Sequence, residues 1–353
     1  MSPPLLAITM GDPAGVGPET IVGAWRSADL HARCRPLVVG HPDVLRRAVE
    51  LLRQPIEIVS IDSPEQARPS PTALPCLAAC GDAARAVPPA TVDARGGQAA
   101  YEALVAAARL ALAGQVQAVV TAPLHKAALW QAGHRYPGHT ELLAELCGVH
   151  EYAMMLYLPP CEVVRSPAGL GIVHVTLHMA LRDVFAHITP TNVLEKIRLV
   201  NTAMQRLGAP QPRIGVCALN PHAGEEGLFG DEETTQIRPA VAAALAEVLM
   251  ASGPLPADTL IARAQGGEFD AVVAMYHDQG HIAMKLLAMH RAVNITLGLP
   301  IVRTSVAHGT AFDRAWQGQA ETTGLVQAIR VAARLAIAKT PKTISAKSGA
   351  NTP

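Results

Sequence analysis

The sequence predicts an α/β fold with helices on both faces of a largely parallel sheet. Three observations carry this. Short β-branched and aliphatic runs alternate with longer segments of helical periodicity. Half of the residues are hydrophobic but only 3% are aromatic, a composition that suits helices packed on a buried sheet. The length of 353 residues allows a sizeable core and suggests two domains.

The elements follow in order. Residues 5–9 read as a short buried strand, ended by Gly11-Asp12-Pro13. Residues 36–39 and 56–60 read as two more strands, with a helix over 42–52 between them. Residues 61–97 are rich in Pro, Ala and Gly and give no assignable pattern. Apolar groups at helical spacing predict a helix over 98–113, stopped by Gly114, and residues 118–122 then form a strand. Residues 172–176, 213–219 and 270–275 read as strands, and 190–207, 231–250 and 323–338 as helices. The tail 339–353 is polar and expected to fray. No internal repeat is present.

Composition excludes several classes. A net charge of zero gives no global field for nucleic acid or acidic membranes, and few aromatics leave no base-stacking platform. The six cysteines form no CxxC pair and read as reduced thiols. The N-terminus lacks the basic and apolar regions of a signal peptide, and no apolar run reaches the ~20 residues of a membrane span. A cytoplasmic location is expected.

Three histidines stand just past predicted strands: His178 in HVTLHMALRD, His222 in ALNPHAGE and His277 in AMYHDQG. Ligands gather at the carboxyl ends of strands in open α/β sheets, and three imidazoles there can share one divalent cation. With fourteen histidines in the chain, chance placement is the competing reading. A second set suits an anion: His139-Thr140 after Gly138, Lys285 after His277, and Arg303 after Pro300. Each alone reads better as a solvated surface group, and their clustering within recognisable segments shifts that balance. No GxGxxG follows a strand, and Gly11, Gly15 and Gly17 have the wrong spacing for Rossmann or P-loop motifs.

Nine stretches in order resemble the 4-hydroxythreonine-4-phosphate dehydrogenase family, including its phospho-threonate/erythronate branch. They are ITMGDPAGVGPE (8–19), TAPLHK (121–126), PGHTELLAE (137–145), HVTLHMALRD (174–183), LNPHAGEEGLFGDEE (219–233), GPLPADT (253–259), AMYHDQGHIAMK (274–285), VNITLGLPIVRTS (293–305) and AHGTAF (307–312). The resemblance implies an isocitrate/isopropylmalate dehydrogenase-like fold, two α/β domains around a central cleft. One domain would comprise 1–130 plus 300–338 on the cofactor side, the other 131–299. It implies NAD or NADP and one divalent metal ion per site (Zn, Mg, Co or Mn) held by His178, His222 and His277. Substrate and phosphate contacts fall on His139, Thr140, Lys285, Asn294 and Arg303. It also implies a homodimer with sites shared between subunits: His277 and Lys285 from one chain, His178 and His222 from the other. The cofactor would lie near the loop 306–318.

The chain departs from the family in places. Ala307 stands where many relatives have Asp, and Arg314-Ala315-Trp316 replaces an Ile-Ala-Gly run. The stretch 158–171 is long for a link between strands. HDQGHIAMK resembles the threonate/erythronate branch, so His281 marks either a substrate lacking an amino group or a packing residue.

The implied reaction is oxidation and decarboxylation of 4-phosphohydroxy-L-threonine to 3-amino-2-oxopropyl phosphate, as in pyridoxal phosphate biosynthesis. The metal would lower the pKa of the substrate hydroxyl, with Asp258 and Asp278 as candidate proton acceptors. Competing readings are dehydrogenation of 4-phospho-D-threonate or D-erythronate, of an aromatic dihydrodiol dicarboxylate, and a non-catalytic metabolite-binding relative.

Overall fold

The structure is a computed structural model that describes residues 3–338; the tail 339–353 lies outside the described residues. Twelve strands follow in chain order: β1 (Leu5–Thr9), β2 (Arg35–Gly40), β3 (Glu57–Ile61), β4 (Ala73–Ala78), β5 (Ala118–Thr121), β6 (Ala153–Leu158), β7 (Leu170–His174), β8 (Ile214–Cys217), β9 (Ala251–Leu255), β10 (Ala271–Ala274), β11 (Val293–Leu297) and β12 (Arg303–Val306). They form one sheet in the order β3-β4-β2-β1-β5-β12-β11-β6-β7-β10-β8-β9. The pairings are parallel except where β11 meets β12 and β6, and where β6 meets β7. The α/β class stands, with an antiparallel centre inside an otherwise parallel sheet.

Strand alternation shows how both faces are covered. Leu5 and Ala7 of β1 pack with Ala103 and Ala107 of the helix Ala94–Leu112. Leu6 and Ile8 point the other way, into a core shared with Trp25 and Ile329. On the opposite half, Ile172 and Val272 pack with Met284 of the helix His277–Ala288, whereas Val173 and Val273 pack with Ile197 of the helix Pro190–Arg206. Both faces of these strands are therefore apolar, as a sandwiched parallel sheet requires.

Several expectations shift. The stretch read as one helix over 231–250 begins as a π-turn at Glu233–Ile237, becomes an α-helix at Arg238–Ala246 and stops before Val248, whose φ is +63°. Pro239 stands just after the change from the π-turn to the α-helix. The unassigned stretch 61–97 contains β4 and a short 3-10 helix at Asp82–Ala86. The connection after β6 is a tied hairpin: Tyr157 donates to Ala168 O at 2.8 Å, and Ser166 donates to Asp270 at 2.7 Å. No helix among the described residues is long and apolar enough to cross a membrane.

Candidate active site

Where the parallel and antiparallel parts of the sheet meet, β12 carries a buried cation. Arg303 is 2% exposed. It faces Thr296 directly across the β11–β12 ladder, while Thr121 lies two residues beyond its β5 neighbour Val119 on the same face. Its guanidinium donates to Thr296 Oγ1 at 3.0 Å and to Thr121 Oγ1 at 2.6 and 3.2 Å. Hydroxyls orient the charge; among the described residues no carboxylate pairs with it directly, and Glu141 of the same lining acts on it only through space. Burial lowers its pKa to about 9, so it stays cationic at neutral pH. A buried guanidinium hydrogen-bonded only to hydroxyls is suited to an anion.

Arg303 lines a cavity of about 620 Å³. His139 and Thr140 line it from the N-terminus of the helix His139–Cys147, and Asn294 from β11. Burial, then Arg303 and Lys126, hold the His139 imidazole well below its usual range, so it is neutral at pH 7. The Oδ1 of Asn294 is buried without a partner, a free acceptor beside the cavity. Lys126, Lys196, Glu141, Tyr152 and His308 also contribute to the lining. Lys285 does not: it is exposed and lines a neighbouring cavity of about 60 Å³ that shares His281 and Asn294 with the larger one.

The histidines separate into two groups. His178 lines the main cavity, and its ring centroid is 5.8 Å from that of His277. His277 stacks on His281 at 3.8 Å, and His281 Nδ1 lies 3.2 Å from His174 Nε2. Burial, followed by the neighbouring imidazoles, lowers His174 to about 3 and His281 to about 4. His277 Nδ1 lies 2.7 Å from Asp278, which leaves Nε2 free for a ligand and gives Asp278 an orienting role. Asp258 lies in the first turn of the helix Ala257–Gln265, accepts from the neighbouring Thr259 N at 2.8 Å and does not line the cavity.

His222 stands apart, its nearest aromatic neighbour being Phe229 at 6.3 Å. It begins a left-handed run, His222 to Glu226, with φ between +41° and +77°. Such a run costs roughly 1–2 kcal/mol per non-glycine residue. Buried Glu233 braces it by accepting from Leu219 N at 2.8 Å and Asn220 N at 2.7 Å. No cluster of three or more metal-binding side chains forms within one chain among the described residues. Two imidazoles with one oriented by a carboxylate suit a divalent cation chemically, with the third donor still to be supplied.

Sequence reasoning passed over His174, Lys126 and Thr121 as site residues. The signal for Thr121 was its place at the end of a buried strand, where a polar side chain needs a partner.

A cavity beside the centre of an α/β sheet, lined by Lys126, Lys196 and a buried Arg303, suits a small anionic ligand. The family model described as pyridoxal phosphate biosynthetic protein PdxA matches residues 32–332. The D-threonate 4-phosphate dehydrogenase of Cupriavidus necator is 45% identical over 334 residues, covering 94% of this chain and 97% of that protein. The 4-hydroxythreonine-4-phosphate dehydrogenase of Trichlorobacter lovleyi is 44% identical over 337 residues, covering 94% and 98%. The crystal structure of the Klebsiella pneumoniae 4-hydroxythreonine-4-phosphate dehydrogenase superposes with a TM-score of 0.83 at 42% identity, covering 95% and 98%. The chain belongs to the PdxA family and is a dehydrogenase.

Proposed function

We propose that the chain oxidises a small hydroxy acid phosphorylated at C4, with NAD or NADP as hydride acceptor and a divalent cation in the site. The observation that carries the reading is Arg303, a buried cation with hydroxyl partners only, at the floor of the cavity. Its charge calls for a permanent anion, and the relatives above are named for 4-phosphorylated substrates.

In this reading Arg303, His139 and Thr140 bind the phosphate, and Asn294 Oδ1 accepts from a substrate donor. Fixing the phosphate deep in the cavity orients the reacting carbon, which lowers the entropic part of the barrier. His178 and His277 would hold the cation from one chain and His222 would come from the partner of a homodimer, since His222 joins neither in the single chain. Bound, these groups supply polarisation of the substrate hydroxyl and acceptance of a hydride. The loop after β12 contributes Ala307, His308 and Gly309 to the cavity and is tied down where Glu19 accepts from Gly318 N at 2.8 Å, which keeps the cofactor side fixed. The segments 1–130 with 300–338 and 131–299 would form two lobes, the cavity lined from both. Loss of CO2 from the oxidised acid completes the reading.

The test is a substrate panel. D-threonate 4-phosphate, D-erythronate 4-phosphate and 4-phosphohydroxy-L-threonine should reduce the nicotinamide in the presence of a divalent cation, and the unphosphorylated acids should not. Equal rates with and without the phosphate would overturn the proposal.

A further inference from the structure

One relationship near the cavity is not used by phosphate or metal binding. His174 closes β7 and is 1% exposed, and His281 lies in the second turn of the helix His277–Ala288. They meet only because residue 280 is glycine: a Cβ there would come within 2.3 Å of His174 Nε2. Gln279 fixes the same turn by donating to Ala218 O at 2.8 Å and accepting from Met275 N at 2.7 Å.

The hydrogen bonds determine the tautomers. His281 Nδ1 lies 3.2 Å from both His277 O and His174 Nε2. A carbonyl oxygen only accepts, so His281 Nδ1 carries the proton. His174 Nε2 then accepts from it, and the lone pair of His281 sits on Nε2. That nitrogen has no partner among the described residues, and His281 lines both the main cavity and the small one beside it. The charged lining of the main cavity consists of Lys126, Lys196 and Arg303 against a single carboxylate, Glu141, and Lys285 adds a cation to the small one.

We propose that His281, held in one tautomer by His174, accepts a hydrogen bond from a substrate hydroxyl and selects a phosphorylated polyhydroxy acid over its amino counterpart. The inference rests on the reading of the cavity as the site of a C4-phosphorylated acid. A hydroxyl satisfies the Nε2 lone pair without adding charge. An ammonium can donate to the same lone pair, but it brings a charge that a neutral imidazole does not pair, so its desolvation is not repaid there. A site built around a hydrogen bond to one substituent discriminates strongly at that position. His281 acts on substrate; His174 is a positioning residue.

The experiment compares D-threonate 4-phosphate with 4-phosphohydroxy-L-threonine in steady-state kinetics. It adds a cofactor-free thermal shift with each compound as a binding readout. The wild type should prefer the hydroxy acid at least tenfold in kcat/KM. His281→Leu should lose at least tenfold on the hydroxy acid and less than threefold on the amino acid. His281→Gln, which retains an acceptor, should recover part of the loss. His174→Leu should raise KM for the hydroxy acid, and His174→Gln should rescue it. Equal losses on both substrates in folded His281 variants, or no loss on either, overturn the inference while leaving the phosphate reading intact. A wild type that turns over and binds neither compound removes the phosphate reading and this inference with it.

Discussion

Arg303 donates to Thr121 Oγ1 from two of its nitrogens, so one threonine hydroxyl fixes the guanidinium that floors the cavity. Thr121→Val keeps the shape and removes that acceptor. The unsatisfied donors should cost about 1–3 kcal/mol of stability. KM for the phosphorylated substrate should rise as the guanidinium loses its orientation. Urea denaturation and steady-state kinetics check both.

Replacing the charge itself separates binding from folding. Arg303→Met removes a buried cation without a carboxylate partner, and stability should change little or increase. Inorganic phosphate should raise the Tm of the wild type and leave that of Arg303→Met unchanged. With substrate, the loss of a charge-assisted contact worth about 1.5–3 kcal/mol should lower kcat/KM by roughly 10- to 150-fold. A phosphate-dependent Tm shift in the variant would place the anion elsewhere.

How far the sequence revealed this site follows from what each strand carries. β1, β2, β5, β7, β8 and β10 read correctly as strands because both of their faces are buried and their residues are largely aliphatic, and half-exposed β3 read correctly from its β-branched residues; β6 (AMMLYL), equally buried, was missed because it lacks β-branched residues. β11 (VNITL) and β12 (RTSV) escaped notice because Asn294, Thr296, Arg303 and Ser305 interrupt the apolar pattern. Those interruptions include residues that build the cavity, so local rules failed where function departs from them. β4 and β9 were hidden by Pro75 and Pro254. The family motifs marked His139, Thr140, Asn294 and Arg303, which the fold brings to one cavity. No local pattern could show that His174 and His281 touch, because they are 107 residues apart.

Asp12 predicts a pH dependence of stability. It is fully buried in the loop after β1, with Oδ1 accepting from Ala14 N at 2.9 Å and Oδ2 without a partner. Burial raises its pKa to about 6 from 3.8. The folded state therefore holds the proton more tightly than the unfolded chain. This contribution is fully present below pH 3.8 and is lost as pH rises through 6. Asp12→Asn, which cannot ionise, should gain stability relative to wild type between pH 4 and pH 7. The gain should be at most about 3 kcal/mol. Urea denaturation across that range checks it, and a difference independent of pH would rule out the titration.

The loop carrying His222 is held in a costly shape. Gly224 has φ +77°, and a Cβ there would meet Glu233 Oε2 at 2.7 Å. Gly224→Ala should therefore disturb the brace as well as strain the backbone, costing about 1–2 kcal/mol. Zinc titration should show weakened binding, while the His178–His277 pair stays in place. Unchanged zinc affinity in Gly224→Ala together with unchanged affinity in His222→Ala would mean that His222 is not a ligand.

The proposed sharing of a metal site between subunits predicts which damaged subunits can repair one another. The ring centroids of His178 and His277 lie 5.8 Å apart in one chain and His222 pairs with neither, so the proposal places the pair and the single histidine on different subunits of each site. His178→Ala, His222→Ala and His277→Ala should each be inactive and low in metal as homodimers. In a heterodimer of His178→Ala with His222→Ala, the second chain supplies an intact pair and the first an intact His222. One site is then whole and the other carries both lesions. Activity should return to about half of wild type per heterodimer if the sites are independent. A heterodimer of His178→Ala with His277→Ala has a lesion in every site and should stay inactive. The sequence-based pairing, with His178 and His222 on one chain, predicts the opposite result for both mixtures. A site built within one chain predicts two dead mixtures. Subunit exchange verified by mass spectrometry, with metal content and turnover measured on the same mixtures, therefore separates the three arrangements.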